Sequence, residues 1–264
     1  MTRGDGEDFR LFFLHIPKTA GTSFVDTVRP WFAHEQAANY IEGLDAETQA
    51  GLGDKHFISG HLFLAQIHRL PYIAHCRLIS IFRDPYARLA SHLRYMDRYN
   101  QPEYAAAYNA LREDLRQVVR AIAEVDFQRP GDLERLFATL GPWARAAFED
   151  CQTRFLFCDP ASTAASPYQD LPDHALDIAL ERLEALDMIG ISERLDDTIA
   201  GVATSCGRPP PPRAARSNTA SSDRQIDVAD PGIRAIMAPL VSQDERLYAR
   251  AKALFALRGV NQAA

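Results

Sequence analysis

Cysteine is scarce in this chain. There are four among 264 residues, Cys76, Cys151, Cys158 and Cys206. No two are spaced C-x-x-C, and no Cys/His cluster has zinc-site spacing. A disulfide scaffold and a zinc-finger module are therefore excluded, and the four read as reduced thiols of a cytoplasmic protein. Long apolar runs are lacking too, so no transmembrane segment is expected. The first residues, MTRGDGEDFR, are polar and acidic, and the apolar run after them is too short for a signal peptide. Positive charge is not in excess: 29 Lys and Arg face 35 Asp and Glu, a net charge of −6. General nucleic-acid binders are more often basic, so nucleic acid is not the expected partner. The Walker A order G-x-x-x-x-G-K-[ST] does not occur, and neither does any internal repeat.

What is present is a chain with enough apolar residues, 47%, to build a real core. Four apolar runs read as buried strands: Leu11–His15, His56–Gly60, Arg77–Phe82 and Met188–Ile191. Stretches of helical periodicity lie between and after them. Phe24, Val28, Trp31 and Phe32 share one helix face. Residues 85–98 and 103–124 form further helices, and His174–Leu186 leads into the last strand. A final helical stretch, 231–257, contains Pro239 and is expected to break or kink there. Alternation of this kind predicts an α/β fold, three-layered, with a mostly parallel sheet flanked by helices. Residues 1–264 are read as a single domain. Ligands of such sheets bind beyond the carboxyl ends of the strands, so the residues just after each run carry the functional weight.

Two of those turns are built for anions. LHIPKTAGTSF, Leu14 to Phe24, leaves a strand and enters a helix. A helix start exposes unpaired N–H groups and the positive end of the dipole. Gly21 permits close backbone approach or a positive φ, Thr19, Thr22 and Ser23 add hydroxyls, and Lys18 adds a full charge. The set suits phosphate or sulfate. RLISIFRDPYARLASHLRY, Arg77 to Tyr95, repeats the design. Asp84 is placed as helix N-cap and Pro85 as first helical residue. Tyr86, Leu89, Ala90, Leu93 and Met96 give the buried face, and Arg88, Ser91 and Tyr95 share another. Arg83, at the strand end, and Ser91 can close on one phosphate. A low-complexity loop, GRPPPPRAARSNTASS (207–222), has little to bury. It reads either as a flexible surface loop or as a lid carrying Arg208, Arg213 and Arg216.

HIPKTAGTSF resembles the 5′-phosphosulfate loop of the sulfotransferases, in the form of their carbohydrate (heparan 2-O-like) branch. FRDPYARLASHLRY is similar to that family's 3′-phosphate segment, with Arg83 and Ser91 eight residues apart as expected there. ISGHLF, CQTRFL and IGISERLDDTI are similar, more weakly, to later family segments. The resemblance implies a P-loop-NTPase-like sulfotransferase fold. It implies 3′-phosphoadenosine 5′-phosphosulfate (PAPS) as donor, PAP as product, no metal requirement, and a hydroxyl acceptor, in this branch a carbohydrate. It carries Pro17, Lys18, Thr19, Ala20, Gly21, Thr22 and Ser23 to the 5′ side of the donor, and Arg83 and Ser91 to the 3′ side. The R-K-G-x-x-G motif of the small-molecule sulfotransferases is absent, and Arg213 and Arg216 are the candidates for its role. Lys18 would serve the leaving oxygen. His61, in the Gly-His segment at a strand end, is the first candidate for the base. His56 lies at the wrong end of that strand, and His15 is expected to shape the turn. Asp26 and Glu35 are the alternative bases. Tyr95, Tyr99, Tyr104, Tyr108, Phe127 and Trp143 suggest an acceptor side. A kinase on a related loop, and a protein that holds PAP or a nucleotide without catalysis, are the competing readings. Neither the acceptor nor the oligomeric state is legible.

Overall fold

Short apolar runs that bury both faces favour parallel pairing under helices, and that is how they are used. The computed structural model describes residues 9–214 and 224–262. Its five strands are β1 (Leu11–Leu14), β2 (Ala37–Ala38), β3 (Phe57–Gly60), β4 (Arg77–Phe82) and β5 (Met188–Ile191). All pairings are parallel, in the order β2-β3-β1-β4-β5. The central strand, β1, sets Leu11 opposite both Phe57 and Arg77. The chain steps from β1 toward β3 on one side and β4 on the other, which opens a crevice at the strand ends.

The expected runs match these strands to within a residue. His15 lies beyond β1, though its N–H still donates to the Gly60 carbonyl (3.0 Å). The two-residue β2 was not expected, because an alanine pair carries almost no apolar signal.

Among the described residues thirteen α-helices surround the sheet. After β1 comes α1 (Gly21–Val28); α2 (Ala46–Ala50) and α3 (Leu64–Ile67) flank β3; α4 (Pro85–Asp97) follows β4. A helical stretch comes next: α5 (Ala105–Ala110), α6 (Glu113–Ala123), α7 (Pro130–Ala138), α8 (Pro142–Phe148), α9 (Cys151–Phe157) and α10 (Ala175–Ala185). After β5 come α11 (Leu195–Ser205), α12 (Pro231–Met237) and α13 (Ser242–Gln262). The helix expected over 103–124 is two, because Leu111 adopts an extended conformation. The break lets Leu111 and Leu115 both pack on the same helical core. The break expected near Pro239 is present as a 3-10 turn, Ala238–Leu240.

Period-two alternation in β1 divides the core. Phe12 and Leu14 pack with Leu156, Leu183 and Leu247 on one face, and Leu11 and Phe13 with Phe24, Val28 and Ile199 on the other. A third cluster joins Leu89 and Leu93 of α4 to Val119, Leu136, Phe148 and Met237. The predicted buried face of α4 is thus present, and Asp84 caps it by accepting from Ala87 N–H (2.9 Å).

Two buried aspartates lock α9 to α13. Asp244 accepts from the Gln152 and Thr153 N–H groups and the Thr153 hydroxyl, while Asp150 accepts from the N–H groups of Gln243 and Asp244. Each helix start is therefore capped from the other helix. Burial and mutual repulsion push the Asp150 carboxyl up to about 8. Burial also raises that of Asp244, against the opposing charge of Arg88.

Candidate active site

The carboxyl ends of β1, β3, β4 and β5 open on one cavity of about 910 Å³. The first turn reaches it through a strained backbone. Lys18 and Ala20 both have φ of 69°, in the left-handed region that side chains disfavour. Such conformations cost on the order of 1–2 kcal/mol each and tend to persist where a site requires them. Gly21 is not the positive-φ residue, contrary to one sequence expectation. It is the first residue of α1, and a Cβ there would fall 2.0 Å from the His15 ring. Glycine is needed for that close approach. Pro17, Lys18, Ala20, Gly21, Thr22 and Ser23 all line the cavity. Thr19 does not: it is fully buried, and its hydroxyl donates to the Ile16 carbonyl (2.9 Å), bracing the loop from behind.

The Lys18 ammonium lies 4.5 Å from the centroid of the Tyr95 ring. Burial, then crowding by Arg98, Arg83, Arg94 and Arg88, lowers its pKa to about 8. A lysine crowded by cations is poised to take an anion.

The second turn is tied to the first. Arg83 Nη1 donates to the Lys18 carbonyl (3.0 Å). Its own backbone is gripped at two points by Gln152, which accepts from Arg83 N–H (2.9 Å) and donates to its carbonyl (3.0 Å). Glu193 holds the next residue by accepting from Asp84 N–H (3.1 Å), and is itself held by the Tyr248 hydroxyl (2.9 Å). Arg83 and Ser91 both line the cavity, as expected. Arg88 does not share their face. It is fully buried, and its Nη2 donates to the Phe148 carbonyl (3.2 Å).

His61 follows β3 at its carboxyl end and lines the cavity. Its Nδ1–H donates to the His15 carbonyl (2.5 Å), and its backbone N–H donates to Glu42 (3.0 Å). The tautomer so defined leaves a lone pair on Nε2, which has no partner among the described residues, the arrangement a base needs. Burial holds its pKa below the ordinary histidine value, aided by Lys18, while Glu42 and the His15 carbonyl act in the opposite direction. His56 sits at the amino end of β3, with its N–H bonded to the Gln36 carbonyl. Asp26 and Glu35 are exposed, and neither lines the cavity.

Several lining residues escaped sequence reading. Arg94 from α4 and Arg98 from the 3-10 turn just after it bring two more cations. Their signal was present, since they follow Ser91 by three and seven positions. Arg98 lies 3.8 Å above the Tyr95 ring and also stacks near Tyr99 and Tyr104. Those tyrosines therefore hold a cation, and of the suggested acceptor aromatics only Tyr95 lines the cavity. Phe127 is core and Trp143 packs on Tyr168. Ser192, Glu193, Leu195 and Asp196, from the IGISERLDDTI segment, form another wall. Arg213 is exposed and outside the cavity, and Arg208 stacks on Phe32 (5.9 Å). Arg216 and the other lid residues from 215 onward lie outside the described residues; Ala214 lines the cavity and its N–H donates to Asp196 (2.7 Å).

Among the described residues four cations, Lys18, Arg83, Arg94 and Arg98, thus face two carboxylates, Glu193 and Asp196. The local balance is opposite to that of the whole chain and favours an anionic ligand. A second cavity, of about 820 Å³, lies against β5, α11 and α13; it is mainly apolar and shares only Glu193 with the first. The chemistry-bearing residues converge on the first. Among the described residues no helix is long and apolar enough to cross a membrane. No protein-family model matches the chain, and no curated protein matches it at a significant level.

Proposed function

We propose that the chain is a PAPS-dependent sulfotransferase that moves a sulfuryl group to an acceptor hydroxyl. A carbohydrate acceptor, a cytoplasmic location and the P-loop-like sulfotransferase form of the α/β fold belong to the same proposal. One observation carries it. The Lys18 turn, the Arg83 and Ser91 pair, and a histidine with a free Nε2 lone pair line a single cavity.

The residues present fit the donor. Backbone and hydroxyl donors from Ala20 to Ser23, with Lys18, suit a 5′-phosphosulfate. Arg83 and Ser91 suit a 3′-phosphate, bound by charge-assisted hydrogen bonds. When bound, PAPS supplies an activated sulfuryl group. His61 Nε2 accepts the proton of the attacking hydroxyl. Lys18 places its charge where the departing oxygen becomes negative, and the α1 N–H groups stabilise the other oxygens. Gln152 holds the Arg83 backbone, Arg83 holds the Lys18 carbonyl, and the His15 carbonyl holds the His61 ring before reaction, so little reorganisation is needed.

Calorimetry with PAP and AMP tests the donor assignment. Only PAP fills both anion sites, so it should bind at least about tenfold more tightly, and Arg83→Ala should remove about 1.5–3 kcal/mol from PAP alone. Equal affinities would discard the 3′-phosphate site. Transfer of label from PAPS to a panel of hydroxyl acceptors then reads the activity itself. Magnesium-dependent transfer from ATP would favour the kinase reading.

A further inference from the structure

His15 was expected to shape the turn, but its surroundings point to chemistry. The residue is 4% exposed and lines the cavity. One face of its ring stacks on Phe13 (5.1 Å between centroids), and the His61 ring lies 4.1 Å away. Its Nε2 edge presses on the start of α1, since a Cβ on Gly21 would fall 2.0 Å from that nitrogen. Its Nδ1 is buried and has no hydrogen-bond partner among the described residues.

These facts select a protonation state. The groups facing the ring are Lys18 on the loop, His61 beyond β3 and Tyr40 beyond β2. Burial, His61 and Lys18 all hold the His15 pKa well below its ordinary value, so the ring is neutral. A neutral imidazole has one N–H and one lone pair. At the mouth of an anion-binding helix, a lone pair on Nε2 would face the ligand's negative oxygens. An N–H there would bond them. The proton therefore belongs on Nε2, and the orphaned Nδ1 carries the lone pair, the milder of the two buried deficits.

We propose that His15 is a second catalytic histidine, whose Nε2–H donates to a non-bridging oxygen of the sulfuryl group during transfer. The proposal rests on the sulfotransferase reading above. In the step itself, the bond from the acceptor oxygen to sulfur forms as the bond from sulfur to the phosphate oxygen breaks. The acceptor's proton goes to His61 Nε2, and PAP leaves with the electron pair. His15 changes neither its bonds nor its charge; it stabilises charge through a hydrogen bond that is strongest in the transition state. The two neighbouring histidines thus carry opposite tautomers: His61 is protonated on Nδ1 and accepts at Nε2, whereas His15 donates at Nε2.

The test has two arms on the full chain. Nitrogen-15 NMR of the histidine-labelled protein at neutral pH reads the tautomer without any ligand. It should show His15 protonated on Nε2 and bare on Nδ1; a proton on Nδ1 overturns the proposal. Single-turnover transfer from saturating PAPS is the second arm. His15→Phe keeps the stack but loses the donor, and should slow transfer by about 10²-fold. Its PAP affinity should stay within a few-fold of wild type, and the acid limb set by His61 should not move. His15→Gln, which offers an amide N–H, should recover part of the rate. Wild-type speed in a folded His15→Phe protein would reduce the residue to a packing role and overturn the proposal. If His15→Phe fails to fold, the tautomer decides. A wild-type protein that transfers nothing from PAPS sinks the sulfotransferase reading and this proposal with it. An Nδ1–H tautomer sinks this proposal alone.

Discussion

Replacing Lys18 with methionine should make the empty protein more stable while removing its anion binding. An unfolded chain keeps the ammonium protonated up to its ordinary value of 10.5, whereas the folded chain keeps it only to about 8. That difference corresponds to about 3 kcal/mol of destabilisation at neutral pH, where the charged form is forced into a cationic, largely buried site. Methionine fills similar space without the charge. It forfeits the cation–π contact with Tyr95, worth about 0.5–1 kcal/mol. The strained backbone at residue 18 is common to both proteins and cancels. The net expectation is a gain of about 2 kcal/mol, or a Tm rise of about 4–8 °C.

The gain should depend on pH in a defined direction. Between pH 8 and 10.5 the unfolded wild-type chain binds more protons than the folded one, so wild-type stability rises across this window relative to the variant. The advantage of Lys18→Met should shrink toward zero by about pH 9.5. Urea melts at pH 7 and pH 9.5, with and without PAP, measure all of this. PAP should raise the Tm of the wild type strongly and that of the variant little. A variant that is less stable at pH 7, or a gap that ignores pH, would refute the idea that Lys18 is held in unrelieved charge crowding.

Gly21→Ala should displace the His15 ring, because the new Cβ would fall 2.0 Å from it; transfer should drop by at least about tenfold, and an unchanged rate would show that the ring can move freely. His61→Ala should retain PAP binding and lose about 10²–10⁴ in transfer, read by single turnover. The pH profile of kcat/KM for PAPS should be bell-shaped. Its acid limb should lie below the ordinary histidine value, as His61 loses its proton, and its alkaline limb near 8, as Lys18 loses its charge; a flat profile between pH 5 and 9 would remove both roles. Asp244→Ala strips the caps from Gln152 and Thr153 and leaves Arg88 buried without its facing carboxylate. A loss of about 2–4 kcal/mol by denaturant melt is expected, and a loss under 1 kcal/mol would mean that water or other donors take over those groups.

What could be read from the sequence was local. Buried parallel strands are unbroken apolar runs, so RLISIF and MIGI announced β4 and β5 to the residue. The Asp84–Pro85 start of α4 was legible because a cap and the helix it begins lie within four residues. The chemistry of the Lys18 turn and the Arg83–Ser91 pair was legible for the same reason. A charge, hydroxyls and a glycine at a strand-to-helix turn need no distant partner to suggest an anion. Even Pro239 marked its break correctly, since the missing N–H acts within one helical turn.

What remained hidden depended on partners far along the chain. Spacing put Arg88 with Ser91 and Tyr95, yet the docking of α4 against Phe148 and Asp244 buries it. Gln152 and Glu193 look unremarkable in sequence, and become the supports of Arg83 and Asp84 only once α9 and the β5 turn are brought beneath them. Three arginines in a proline-rich loop looked more functional than Arg94 and Arg98. Helix α4 and the turn that follows it nevertheless carry those two into the cavity, while the fold leaves Arg213 outside it. His15 is the sharpest case. Its own neighbours, Leu14 and Ile16, say nothing of chemistry. The parallel pairing of β1 with β3 brings His61 against it, and the turn into α1 brings Gly21 against its edge. Residue type and short spacing encode which groups a turn can offer. Which of them meet is decided by strand order and helix docking, because burial and opposing charge act through space rather than along the chain.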